Sequence, residues 1–428
     1  MLTSTNSFGA TEAATNPNQG SSLVLIGGKL GIGEHAQKIY KKIVELAGGK
    51  EGKIGVITSA RTPYDWDCEK KGDSTDGGCN DPKAGNSKTV ANNYIELLNK
   101  YGIHAEWIPV DLANVEIADN EKWAHRIAKG EFSGFFFGGG KQYQYIESFY
   151  RENDEGESTD SVVLEAIRDQ FTSAGTMIAG TSAGAAVQSL DDMIIGGSSD
   201  RAIVEGAQKD YQSDSSVLTY IEEGGFGFFN YGIVDSHFSE RGREGRAIRL
   251  ASDTGNDMVF GLDETTALVV TDAHKPQAMM EIIGKSGVQI LDLSQAITEE
   301  DDQGLWAIEN VQGTYLTEGD RYIPQTDKVI FHSNKENISN KEDLSGNLIL
   351  SKDIFSSAKR VKNEFINTAC HLVDTFKLDM AYGYTRTSVP QYEVVFSKSE
   401  HTQAHFVNED GKRKISYTGL QIDLHYAY

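Results

Sequence analysis

The chain has 428 residues, and its 63 acidic against 40 basic side chains give a formal net charge of −23 at pH 7. Such a chain repels nucleic acid and anionic membranes, and its long-range field favours a cationic partner. A hydrophobic fraction of 39% with only 7 Pro excludes a fibrous or wholly disordered protein, and the length predicts two domains or one large domain with an appendage.

Residues 1–20 are rich in Ser, Thr, Asn and Gly, the composition of a disordered tail. Residues 23–26 form a short apolar run of strand type that ends in Gly27-Gly28, and Ile39, Ile43 and Leu46 recur at helical spacing through 34–46. No apolar run approaches the roughly 18 residues of a membrane span. The segment 53–58 (KIGVIT) reads as a second strand. The polar stretch 64–88 reads as an inserted loop. Its Asp65, Asp67, Asp73, Asp76 and Asp81 do not follow a calcium-loop pattern, so solvated charge is expected. Cys68 and Cys79 lie in that stretch, where a disulfide in an oxidising compartment and two free thiols fit about equally well.

Helices near 89–101 and 120–129 alternate with strands at 104–109 and 134–137, and after Gly138-Gly139-Gly140 a helix at 162–173 leads to a strand at 176–179. This rhythm predicts an α/β fold, a mostly parallel sheet with helices on both faces. After about 325 the texture changes. Segments 328–332, 347–351, 376–384, 392–397 and 421–428 are strand-like and aromatic-rich, with weak helical periodicity. An α/β catalytic domain at 21–325 and a mostly β accessory region at 326–428 are therefore expected.

Gly180-Thr181-Ser182-Ala183-Gly184 fits G-x-S-x-G between a buried-type strand and a helix that opens with small residues. A strand–Ser–helix turn is what a nucleophile elbow requires, and it lets the Ala183 amide donate to an oxyanion. The alternative is a tight glycine-rich turn with an idle serine. A serine nucleophile needs a base. Of the 10 His, His237 stands out: Asp235-Ser236-His237-Phe238 ends a strand-like run and precedes Arg241, Arg243 and Arg246. Guanidinium forks suit carboxylates, although an exposed helix start with surface ion pairs would read alike. Glu264 is the candidate for the carboxylate that orients the imidazole, with Asp263 an open alternative. Gly139 or Gly140, after the strand at 135–137, suits a second oxyanion donor, and Gln142 suits a polar substrate group. Two further signals are set aside. Gly31-Ile32-Gly33 lies too far from the strand end for a dinucleotide site, and His401 and His405 sit in strand-like sequence that disfavours a metal pair.

In this order the pieces resemble the cyanophycinase family, serine peptidases related to aspartyl dipeptidase on a class I glutamine-amidotransferase-like scaffold. The resemblance covers about residues 21–325 and is most specific in the Asp-x-His-Phe-x-x-Arg-x-Arg-x-x-Arg block. It implies Ser182 as nucleophile, His237 as base and Glu264 as its partner, with Gln142, Asp235, Ser236, Arg241, Arg243 and Arg246 in the substrate pocket. It also implies cyanophycin as substrate and no metal or cofactor. A homodimer is the expected state. The family usually reads Gly-Gly-Asp-Gln where this chain has Gly139-Gly140-Lys141-Gln142. Rival readings are an aspartyl or isoaspartyl dipeptidase on the same scaffold, and a non-catalytic polymer-binding protein. The N-terminus shows no basic stretch followed by an apolar one, so no signal peptide is expected. A processed secreted chain is slightly preferred to a cytoplasmic, storage-granule enzyme.

Overall fold

A computed structural model describes residues 20–66, 81, 83–209, 214–342, 350–386, 390–409 and 411–427. Its first strand, β1 (Ser22–Ile26), is buried on both faces: Leu23 and Leu25 enter one core, Val24 and Ile26 another. Such a strand needs helices on both sides. Helix α1 (Glu34–Leu46) lays Ala36, Ile39, Tyr40 and Ile43 on the Val24/Ile26 face. After β2 (Lys53–Ile57), α2 (Ser87–Lys100) adds Ala91 and Leu98 to that face. Its N-cap, Asn86, accepts from the Thr89 amide and so satisfies an otherwise unpaired donor. Then come β3 (His104–Trp107), α3 (Glu121–Ala128), β4 (Gly134–Phe137), α4 (Tyr143–Phe149), α5 (Val162–Ala174) and β5 (Met177–Thr181). Ile127 of α3 with Val163, Leu164, Ile167 and Phe171 of α5 covers the Leu23/Leu25 face.

Helix α6 (Ala183–Ala186) is a single turn, shorter than the sequence pattern through residue 190 implies. The 225–229 loop stops it, because the Val187 and Ser189 carbonyls accept from the Phe226 and Gly225 amides instead of extending the helix. Beyond it lie β6 (Ile233–Ser236), α7 (Glu244–Thr254), β7 (Met258–Leu262), β8 (Thr266–Thr271), β9 (Met279–Gly284), β10 (Gly287–Asp292), β11 (Trp306–Thr317), β12 (Arg321–Ile323) and β13 (Lys328–Ile330). The last quarter adds α8 (Glu364–Val373), β14 (Met380–Tyr384), β15 (Tyr392–Ser397), β16 (Gln403–Glu409) and β17 (Lys412–Tyr426).

Two sheets result. The first runs β13-β12-β9-β8-β1-β5-β4-β2-β3. It is parallel from β1 to β3 and antiparallel on the other side of β1. The second runs β6-β7-β10-β11-β17-β15-β14, with β16 also on β17. The region after 326 is strand-rich, as expected, but α8 buries Phe365, Ile366, Ala369 and Leu372 where no helix was foreseen. The expected 325/326 boundary falls inside the antiparallel pair β12–β13. Strands β14 to β17 continue the sheet that begins at β6, and Ile233 and Val259 share a core with Phe396, Tyr417 and Ile422. Cys68, Cys79 and the aspartates at 67, 73 and 76 lie outside the described residues.

Candidate active site

Strand register brings the motifs together. Strands β1 and β5 are parallel with Ile26 opposite Thr181, so Gly27 and Ser182 emerge side by side. Strands β6 and β7 are parallel with Ser236 opposite Leu262, so His237 and the 263–265 turn emerge together. That turn crosses from β7 in the second sheet to β8 in the first, and β8 is the antiparallel partner of β1.

Ser182 sits at φ 55° and ψ −117°, a conformation that a side chain adopts only when its surroundings enforce it. Enforcement comes from close approach: a Cβ on Gly184 would lie 2.1 Å from the Phe137 carbonyl oxygen, and one on Gly180 would lie 2.0 Å from that of Gly184. The turn aims Ser182 Oγ at His237 Nε2, 2.8 Å away. His237 Nδ1 lies 2.9 Å from Glu264 Oε1.

His237 is 6% exposed. Burial pushes its pKa down to about 4, reinforced by the Arg241 and Arg243 charges and opposed by Glu264, so at neutral pH the ring is uncharged and able to accept a proton. Burial works to raise the Glu264 carboxyl, but the bonds from Lys29 and His237 outweigh it and hold that pKa below the ordinary glutamate value. Glu264, not Asp263, therefore faces the imidazole. Asp263 is fully buried and turned the other way, accepting from the Ser239 amide at 3.1 Å, the Gly287 amide at 3.3 Å and the Tyr315 hydroxyl at 2.7 Å.

The expected oxyanion donors flank the serine. Ala183 opens α6, and Gly139 lies so close that a Cβ there would be 3.1 Å from Ser182 Cβ. The half-buried Tyr94 ring backs this turn, 3.3 Å from where a Cβ on Gly138 would lie, while Gly140 packs on the Ala60 carbonyl. Gln142 donates to the Ile194 carbonyl at 2.8 Å and lines a cleft of about 170 Å³ with Gly140, Lys141, Tyr143 and Thr219.

The arginine block divides. Arg246 is 2% exposed and grips Asp235 through Nε to Oδ2 at 2.9 Å and Nη2 to Oδ1 at 2.7 Å, and it also donates to the Gly196 and Gly197 carbonyls. Arg243 Nη1 reaches Asp235 Oδ1 at 2.9 Å and the Ser236 carbonyl at 2.6 Å. Asp235 and Ser236 are themselves buried, and Asp235 Oδ1 also accepts from the Ser236 amide. Asp235, Arg243 and Arg246 thus satisfy one another inside the wall that carries His237, rather than standing open to a substrate carboxylate. The physical reason is burial: an ionised aspartate inside a protein must be paired. Arg241 alone of the three is exposed.

Sequence reasoning passed over the turn after β1. Gly28 has φ 103°, and a Cβ there would lie 2.2 Å from His237 Cε1, so this glycine is the surface on which the imidazole rests. Lys29 Nζ lies 2.9 Å from Glu264 Oε1. The Gly27-Gly28 pair at a strand end was the available signal. Among the described residues no three His, Cys, Asp or Glu side chains gather as a metal-ligand set, and no helix is long and apolar enough to cross a membrane.

Residues 82–277 match the sequence model of peptidase family S51. Over 319 residues the chain is 26% identical to a cyanophycinase of Geminocystis herdmanii, an alignment that covers 72% of this chain and 94% of that one. It is 27% identical over 245 residues to a cyanophycinase of Nostoc, covering 54% and 70%. A cyanophycinase of Trichormus variabilis is likewise 27% identical over 243 residues, with the same coverage.

Proposed function

We propose that this cyanophycinase-like serine peptidase, with its family S51 domain at residues 82–277, hydrolyses cyanophycin, a poly-aspartate backbone bearing arginine on each β-carboxyl. The observation that carries this reading is the unbroken relay Ser182 Oγ–His237 Nε2–Glu264 Oε1, at 2.8 and 2.9 Å, in a chain similar to proteins named cyanophycinase. Ser182 Oγ attacks an Asp–Asp main-chain carbonyl carbon while its proton passes to His237 Nε2. Glu264 stabilises the imidazolium so formed. The Ala183 amide and an amide of the 139–140 turn receive the oxyanion. His237 then protonates the departing amine. Water, deprotonated by the same ring, cleaves the acyl-enzyme and releases β-aspartyl-arginine.

Each repeat of that polymer carries one guanidinium and one free carboxylate. Arg241, exposed beside His237, suits the carboxylate, and Gln142 on its cleft suits a polar group. The acidic exterior suits the guanidinium groups. Mass analysis of products from purified cyanophycin tests the proposal. The expected result is β-aspartyl-arginine from the intact chain and none from Ser182→Ala. Inert polymer alongside rapid cleavage of aspartyl dipeptides would replace this reading with the dipeptidase one.

A further inference from the structure

We propose that Lys29 is a positioning residue of the relay, its ammonium fixing the Glu264 carboxylate in place against His237. The inference rests on the Ser182–His237–Glu264 reading above.

Lys29 Nζ and His237 Nδ1 meet the same oxygen, Glu264 Oε1, each at 2.9 Å. Two donors on one carboxylate oxygen fix both the position and the rotation of the group. An exposed lysine near a glutamate is ordinarily a loose surface pair of little consequence, and the Lys29 side chain is 62% exposed. Its backbone argues otherwise. Lys29 sits at φ 47°, an uncommon conformation for a side-chain-bearing residue.

The turn that holds it is bonded to every segment of the relay. The Ile26 carbonyl accepts from the Ser182 amide at 2.9 Å, that of Gly27 from the His237 amide at 2.8 Å, and that of Gly28 from the Thr265 amide at 2.8 Å. The Lys29 carbonyl accepts from Thr265 Oγ1 at 3.0 Å. Four successive carbonyls thus tie one short turn to nucleophile, base and acid. The ammonium at its end reaches a carboxylate whose side chain is only 12% exposed.

The charges around the relay set the direction of the effect. His237 faces Arg241, Arg243 and Glu264. Glu264 faces Lys29 and His237, and its amide donates to Glu240, whose own carboxyl lies near Asp263 and Glu264. Removing the Lys29 ammonium deletes a positive charge and leaves Oε1 wholly to Nδ1. Both changes favour the imidazolium, so the base should titrate at higher pH. A residue that merely tethered the turn would lower the rate without moving that titration.

The test uses sulfonylation of Ser182 by phenylmethanesulfonyl fluoride, which needs the relay but no natural substrate. Rates would be measured from pH 3.5 to 8 for the intact chain, Lys29→Met and Lys29→Arg, with circular dichroism at each pH. Lys29→Met is expected to move the acid limb up by about half a unit and to lower the plateau roughly two- to five-fold, the scale of a partly exposed ion pair. Lys29→Arg should restore both. A folded Lys29→Met with an unmoved limb overturns the proposal. If Ser182 of the intact chain is not labelled, the relay reading falls together with it. Labelling that behaves as expected in a protein inert toward cyanophycin would remove only the substrate assignment.

Discussion

The two sheets contribute differently to one site. The first supplies Ser182, the proposed nucleophile, on a sharp turn between β5 and α6, in the manner of an open α/β sheet whose ligands bind at the carboxyl ends of its strands. The second, largely antiparallel, supplies His237, the proposed base, at the end of β6. The proposed third member belongs to neither, because Glu264 sits where the chain crosses from β7 in the second sheet to β8 in the first. A relay split in this way depends on how the sheets are held together. It is cut most directly at the nucleophile. Ser182→Ala should lower polymer hydrolysis by about 10⁴-fold or more, measured as product release, with thermal stability unchanged or improved, since a residue at φ 55° is relieved of its functional side chain but not of its fold.

The junction itself comes next. Gly28 belongs to the first sheet's turn and His237 to the second sheet's strand end, and 2.2 Å would separate a new Cβ from the ring. Gly28→Ala, strained also by its φ of 103°, should displace His237 from Ser182 and cost on the order of 10²-fold in kcat, since ångström-scale misplacement of a reacting group has effects of that size. Normal sulfonylation of Ser182 in this variant would show that the junction tolerates movement and that the sheets are less interdependent than the contact implies.

The difference between the sheets also explains what was legible in the sequence. The first sheet's strands announce themselves: residues 23–26, 53–57 and 134–137 are apolar runs bounded by turns, and α1 begins and ends where its periodicity does. The elbow was legible because small residues are needed on both sides of Ser182. The role of the arginines was not. A row of Arg beside a His looks the same whether the partners are substrate carboxylates or a buried Asp235 eleven residues upstream of Arg246, because pairing across a wall is a property of the fold. The continuity of the last quarter with the His237 strand was hidden for a similar reason. The pairing of β11 with β17 joins Ile308 to Leu424, more than 100 residues apart, and no local pattern reports it. Helix α8 was missed because Asn367 and Thr368 interrupt its apolar run in sequence, although Thr368 is buried along with Phe365 and Leu372.

A second tie between the sheets lies away from the relay. Lys335 Nζ donates to Asp320 at 2.6 Å, Thr317 at 2.7 Å and Ser416 at 3.0 Å, joining the crossing between β11 and β12 to β17. The lysine and aspartate side chains are 1% and 0% exposed. Lys335→Met would leave the buried Asp320 without its counter-charge, held by the Thr317 and His332 amides alone, at a cost of about 3 kcal/mol in denaturant unfolding, while kcat of the folded fraction stays unchanged. A loss of kcat equal to that of Gly28→Ala would show that the whole interface, not the relay turn alone, sets the position of His237.

The smallest expected effect sharpens the comparison through charge. His237 emerges from a strand whose buried Asp235 is already neutralised by Arg243 and Arg246, so the second sheet presents the base to the site beside net positive charge. Burial first, with the Arg241 and Arg243 charges adding to it and the Glu264 bond opposing it, brings its pKa to about 4, against 6.5 for the ordinary imidazole. Between these values the unfolded chain binds a proton that the native chain refuses. This contribution to stability is therefore fully present above about pH 6.5 and is lost as the pH falls toward 4. Activity follows the same group: kcat/KM on soluble cyanophycin fragments should be flat from neutral pH to about 5, with an acid limb near 4. Arg241→Ala removes the exposed cation, and with partial solvent screening should raise that limb by a few tenths of a unit. It should also raise KM for carboxylate-bearing substrates if this guanidinium meets them. A raised limb with unchanged KM would leave Arg241 as part of the second sheet's field on the base and move carboxylate recognition to the first sheet's cleft at Gln142.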